Sequence, residues 1–221
     1  ILLWIANALT PQEIRDRILD VNSTFQQELV QYLESVHMGE FFDGQSMRDI
    51  ATDVNAKEET AKASGSRYVP PTETLPIASP ATCKTHQNKE PVSGCKRCDQ
   101  TNTWWDGFKA TVNELVWRTN RHECGTHCLS NKYGTCKARY PREVRSSTTV
   151  DPETGYLNLK KGEAWMNMFS AVLSYLLRSN TDVTSLLSGT AMKAVIAYVT
   201  DYVTKPQLQT HVLFETVRSV L

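Results

Sequence analysis

Apolar residues recur at three- and four-residue intervals through Ile14, Ile18, Val21, Phe25, Leu29, Leu33 and Val36, which predicts one amphipathic helix from Thr10 to about His37. Thr10-Pro11-Gln12-Glu13 supplies its start: a capping hydroxyl, proline at the first helical position, and a glutamate three residues on to reach back. Gly39 ends it, and a more polar helix follows from about Gln45 to Lys62. Between Ala63 and Gly94 the period disappears among Pro70, Pro71, Pro76, Pro80, Pro91 and many Ser and Thr, the pattern of a linker or long extended loop. It returns at Trp104, Phe108, Val112, Leu115 and Val116, a helix from about Thr103 to Asn120 with its tryptophans in the core.

Thr148-Thr149-Val150, the turn Asp151-Pro152-Glu153-Thr154-Gly155 and Tyr156-Leu157-Asn158-Leu159-Lys160 predict a short hairpin. A helix from about Glu163 to Arg178, a strand from about Asp182 to Leu187, a helix ended by Pro206 and a last helix from about Gln207 to Leu221 complete the pattern. Four segments result: 1–62, a strand end plus helices; 63–94, the proline-rich linker; 95–145, a helix and a Cys/His segment; and 146–221, the hairpin and remaining helices. No internal repeat is visible.

In the helix before Pro206, Tyr198, Tyr202 and Lys205 form one stripe. At about 100° per residue it lies beside the apolar seam of Met192, Val195, Ile196, Val199 and Val203, not at its centre. A tyrosine pair at this spacing commonly serves packing. Two phenols beside a cation also suit nucleophilic attack on a phosphate diester, with lysine holding the phosphate or favouring the phenolate.

Charge changes the picture only locally. The formal net charge is zero over 221 residues, but from Arg118 to Arg145 seven cations face only Glu123 and Glu143, an excess of five. Arg121, Lys132, Lys137, Arg139 and Arg142 are therefore candidate DNA contacts, against the ordinary alternative of a solvated surface. No apolar run approaches the roughly 20 residues of a membrane span, so no membrane partner is expected. The opening Ile1-Leu2-Leu3-Trp4-Ile5 reads as an interrupted strand, with sequence missing upstream.

Six cysteines without a secretory signal point to a metal site in a reducing compartment. His122, Cys124, Cys128 and Cys136 follow the pattern H-x-C-x3-C-x7-C, three thiolates and an imidazole suited to a closed, structural zinc site. Cys95 and Cys98 form a second knuckle that pairs with two of these ligands or stays unmetallated. Free buried thiols are the plainer alternative. His127 is expected to be a bystander, and His37, His86 and His211 ordinary polar residues.

The run from His122 through Cys136-Lys137-Ala138-Arg139-Tyr140-Pro141, the Asp151–Gly155 turn, Arg178-Ser179-Asn180-Thr181-Asp182-Val183 and Tyr198-Val199-Thr200-Asp201-Tyr202-Val203-Thr204-Lys205 together resemble Helitron rolling-circle transposases. The likeness is to the fungal form of their helicase-like replication-initiator domain and is strongest from Arg121 to Leu221. It implies an α+β fold, a helix-rich fragment of an antiparallel-sheet domain carrying a Cys/His zinc knot at His122, Cys124, Cys128 and Cys136. It implies a metal-dependent single-strand DNA endonuclease and strand transferase, with Tyr198 and Tyr202 as nucleophiles and Lys205 at the phosphate. Magnesium or manganese would assist nicking, a helicase domain would follow in the parent protein, and the location would be nuclear. The family's paired metal histidines are missing and would lie just before Ile1, so this chain alone is expected to be inactive. Asp182 or Asn180 is a weaker candidate for a further metal ligand. The alternatives are a zinc-stabilised nucleic-acid-binding or interaction module and a non-functional transposon remnant.

Overall fold

The computed structural model describes residues 8–20, 22–86, 92–184, 193, 195–197 and 199–200. These are α-rich, with one small antiparallel sheet, and the chain divides into two units. One comprises residues 1–26, 152–156 and 185–221, the other 27–151 and 157–184.

In the first unit, α1 (Pro11–Leu19) begins with the predicted reciprocal cap: the Glu13 N–H donates to Thr10 Oγ1 at 3.2 Å, and the Glu13 carboxylate accepts the Thr10 N–H at 2.7 Å. Ile18 is its buried residue. The single helix expected to reach His37 is instead two, because α2 spans Phe25–Val36. The apolar period runs across the break, but the local polar groups cap it. Asp20 Oδ1 accepts the Asn22 N–H at 3.0 Å, and Ser23 Oγ accepts the Phe25 N–H at 3.1 Å. Gly155 closes the Pro152–Tyr156 turn at φ 67°, a conformation costly for residues with a Cβ.

The second unit is built around α4 (Lys96–Thr119), which starts seven residues before the predicted boundary, at the Cys95 knuckle. Its Phe108, Val112 and Val116 pack with Ile50 and Val54 of α3 (Met47–Ala63), with Phe41, and with Met166, Phe169 and Tyr175. Val112, Leu115 and Val116 are fully buried, each stabilising the fold by about 1.5–3 kcal/mol. Buried Asn113 clamps the Phe42–Gly44 turn to α4: Oδ1 accepts the Phe42 N–H at 2.8 Å, and Nδ2 donates to Gln45 Oε1 at 2.7 Å.

The hairpin forms as predicted, β1 (Thr149–Val150) pairing antiparallel with β2 (Leu157–Asn158), Val150 opposite Leu157. The helix expected from Glu163 is confined to α6 (Ala171–Leu177), capped by Ser170. The preceding segment is a turn at Ala164 and Trp165 with isolated bridges at Met166 and Phe169, and neighbours take its backbone groups. Trp165 O accepts the His122 N–H, Ala164 O accepts the Arg142 N–H, and Phe169 exchanges two bonds with Met38. Among the described residues no helix is long and apolar enough to cross a membrane.

Candidate metal centres

His122, Cys124, Cys128 and Cys136 converge. The turn α5 (Thr126–Leu129) follows Gly125 and brings Cys128 back toward His122, and Gly134 at φ 63° turns the chain so that Cys136 reaches the same point. His122 Nε2 lies 3.3, 3.5 and 3.2 Å from the sulfurs of Cys124, Cys128 and Cys136, and the last two sulfurs are 3.2 Å apart. Bonds of about 2.3 Å to sulfur and 2.0–2.1 Å to nitrogen give a zinc tetrahedron edges of about 3.8 Å between sulfurs and about 3.6 Å between sulfur and nitrogen. The donors lie on that scale, slightly contracted, and far outside the roughly 2.05 Å of a disulfide; all six cysteines are free.

The Cys95–Cys98 knuckle has partners that the sequence pattern does not suggest. Cys83, His86, Cys95 and Cys98 bring one donor atom each within 4.8 Å of one another. His86 Nδ1 is 3.5 Å from Cys83 Sγ and 3.3 Å from Cys98 Sγ, and Cys83 and Cys95 are 3.9 Å apart. Cys95 and Cys98 therefore do not share the later ligands, and His86 is not an ordinary polar residue. The spacing C-x2-H-x8-C-x2-C was readable, but its first half lies in the proline-rich stretch, where no regular element suggested that it could be placed.

Both sets hold one thiol ready for metal. The backbone N–H groups of Cys98 and Arg97 point at Cys95 and bring its thiol down to about 6. Burial works against Cys136, but the Tyr140 backbone N–H and the neighbouring thiols outweigh it, again to about 6. Cys124 is pushed up to about 11 by burial and by the two neighbouring thiols, so its proton leaves when metal arrives. Each tetrad can hold a metal ion.

The His122 ring stacks on Tyr140 with centroids 4.3 Å apart and planes within 9°; Tyr140 is also parallel to Trp165, and the Arg142 guanidinium covers it at 4.7 Å. Tyr140 Oη donates to Asn167 Oδ1 at 2.6 Å, and Asn167 Nδ2 donates to Asp182 at 2.9 Å; Asp182 belongs to neither tetrad. Of the candidate DNA contacts, Lys132, Lys137 and Arg139 are exposed, and Arg142 is half-buried. Lys132 lies over the exposed Tyr133 ring at 4.8 Å. Arg121 is partly committed, paired with Glu123 and stacked on Trp117. Tyr198, Tyr202 and Lys205 lie outside the described residues, and the His127 side chain likewise.

No family model matches the chain, and no curated protein or solved structure is detectably similar to it.

Proposed function

We propose that this chain is the zinc-braced part of a DNA nicking-and-joining domain of the rolling-circle replication-initiator type, as in Helitron transposases. The observation that carries the reading is the His122–Cys136 tetrad with exposed Lys132, Lys137 and Arg139 on the same short segment and the exposed rings of Tyr133 and Trp165 beside it. Cations that track phosphates, next to flat rings on which bases stack, suit single-stranded DNA. Zinc here supports the fold and leaves no open position for chemistry.

In this reading the oxygen of Tyr198 or Tyr202 attacks a backbone phosphorus. The 5′ side becomes joined to tyrosine, the bond to the 3′ oxygen breaks, and that oxygen leaves with a proton as a free hydroxyl. Lys205 sits against the developing charge. Magnesium or manganese would polarise the phosphate, but among the described residues the grouped donors are thiol-rich and suit zinc instead. No step is assigned to a divalent ion on this chain. The same reading implies a nuclear protein with a helicase domain in the parent chain.

The test is a chain extended upstream through the expected histidine pair, incubated with single-stranded DNA and magnesium or manganese. A covalent adduct that disappears in Tyr198→Phe/Tyr202→Phe supports the reading. A folded, zinc-loaded protein that binds DNA in a salt-dependent way yet forms no adduct leaves the binding module, which the basic segment also favours. One that does neither leaves the non-functional remnant.

A further inference from the structure

Residues 64–95 contain one short 3-10 turn, Pro71–Glu73, and otherwise no regular element among those described, yet parts of the stretch lie firmly on the helical core. Ile77 is the point of attachment. Its carbonyl accepts from Trp104 Nε1 and from Tyr175 Oη, both at 3.0 Å, and its N–H donates to Tyr175 Oη at 3.1 Å. Upstream, Tyr68 Oη donates to the buried Glu114 carboxylate at 2.8 Å, and Arg178 donates to Leu75 O at 3.3 Å. Downstream the stretch meets the N-terminus of α4 through Cys83 and His86, which close on Cys95 and Cys98.

The segment has few apolar side chains to bury: Leu75 is 88% exposed and Ile77 71%. Packing of its own side chains therefore does not explain the course of its described residues, and a handful of hydrogen bonds must oppose the chain entropy of a long irregular loop. A cross-link at Cys83 and His86 shortens the free span. It also holds Ala78 and Pro80 where they line an apolar cleft of about 860 Å³ with Trp104, Phe108 and Tyr175.

We infer that Cys83, His86, Cys95 and Cys98 form a second zinc site, independent of the His122 centre, and that this zinc fastens the proline-rich segment over α4 and builds one wall of the cleft. Three thiolates and an imidazole select zinc over hard cations, and a full shell of four protein ligands makes the site structural. Lys84, Lys96 and Arg97 flank the ligands in sequence and offset the single negative charge left by three thiolates on a divalent ion. The two centres share no ligand. This inference does not depend on the nicking reading.

The experiment is a metal count on the purified full chain, with cobalt substitution as the probe of ligands. Wild type holds two zinc ions, and two cobalt equivalents each give the charge-transfer bands of a three-thiolate tetrahedral site. Cys83→Ser/His86→Ala drops the count to one, exposes the 64–95 stretch to limited proteolysis and shifts tryptophan emission through Trp104. Cys128→Ser/Cys136→Ser also drops the count to one but leaves that stretch protected. Because the first variant can fail to fold, His86→Cys serves as its partner: it keeps four ligands, two zinc ions and the protection. A wild-type count of one, loss of both ions from a folded variant of either set, loss of an ion or of the protection in His86→Cys, or an unprotected 64–95 stretch in the two-zinc protein overturns the inference.

Discussion

Replacing Glu114 by glutamine is the sharpest test of the frame that carries both Cys/His tetrads. The carboxylate is 3% exposed on α4 and accepts from three side chains. Oε1 takes Tyr68 Oη and Arg118 Nε, both at 2.9 Å, and Oε2 takes Lys57 Nζ at 3.0 Å and Tyr68 Oη at 2.8 Å. The amide keeps one oxygen and must turn N–H groups toward either the ammonium of Lys57 or the guanidinium of Arg118. Each bond to a charged group contributes about 1.5–3 kcal/mol. Lys57, 45% exposed, regains water, and Arg118 retains Glu58 at 2.7 Å, so part of the loss is recovered. The net cost is about 2–4 kcal/mol, below the loss for a fully sealed pair, and corresponds to a melting temperature about 4–16 °C lower. Urea unfolding with zinc held in excess measures it. Burial opposes ionisation of Glu114, but Lys57, Tyr68 and Arg118 hold its pKa below the ordinary carboxylate value. Its stabilisation is therefore present above the unfolded pKa and is lost only as pH falls through the lower, folded value. The gap between wild type and variant should be flat from pH 6 to 8. A cost under about 1 kcal/mol, or a gap that changes across that range, would refute the account.

Three further predictions follow from other sites. Lys161, 5% exposed with Nζ donating to Met166 O at 2.6 Å, is brought down to about 8 by burial and then by Arg142. Its folded value lies below its unfolded value, so wild-type stability should rise by about 3 kcal/mol as pH goes from 8 to 10.5, and Lys161→Met should abolish that rise in denaturant titrations. Gly39→Ala would place a methyl 2.7 Å from Met168 Sδ and 2.9 Å from the backbone Cα of Lys161. A cost of about 1–3 kcal/mol by urea unfolding is expected, and an unchanged midpoint would contradict the close approach. Removing zinc with a chelator at neutral pH should abolish near-ultraviolet dichroism from Trp165 and Trp104, restored on adding zinc; a signal that survives full metal removal would show the aromatic packing to be independent of either centre.

The sequence by itself determined whatever rests on neighbours along the chain. The Thr10 helix start, the Val150–Leu157 hairpin and the His122–Cys136 tetrad are all legible, since a cap, a turn and ligands within fifteen residues need only local geometry. Tertiary structure decided the rest. Asp20 and Ser23 break a helix whose apolar period runs on, because side-chain hydrogen bonds compete locally with a pattern that records burial. Trp165 and Phe169 carry spacing compatible with a helix but lie outside any helix, in a turn and an isolated bridge, since His122 and Met38 engage their backbone groups. Cys83 and His86 are separated by a featureless stretch from the knuckle they meet, and periodicity carries no information about where an irregular loop returns. Ile77 anchors that loop upstream of them, its backbone held by Trp104 and Tyr175, residues 27 and 98 positions away. Contacts of that separation leave no local trace because hydrogen bonds to a main-chain carbonyl place no demand on the residue that owns it.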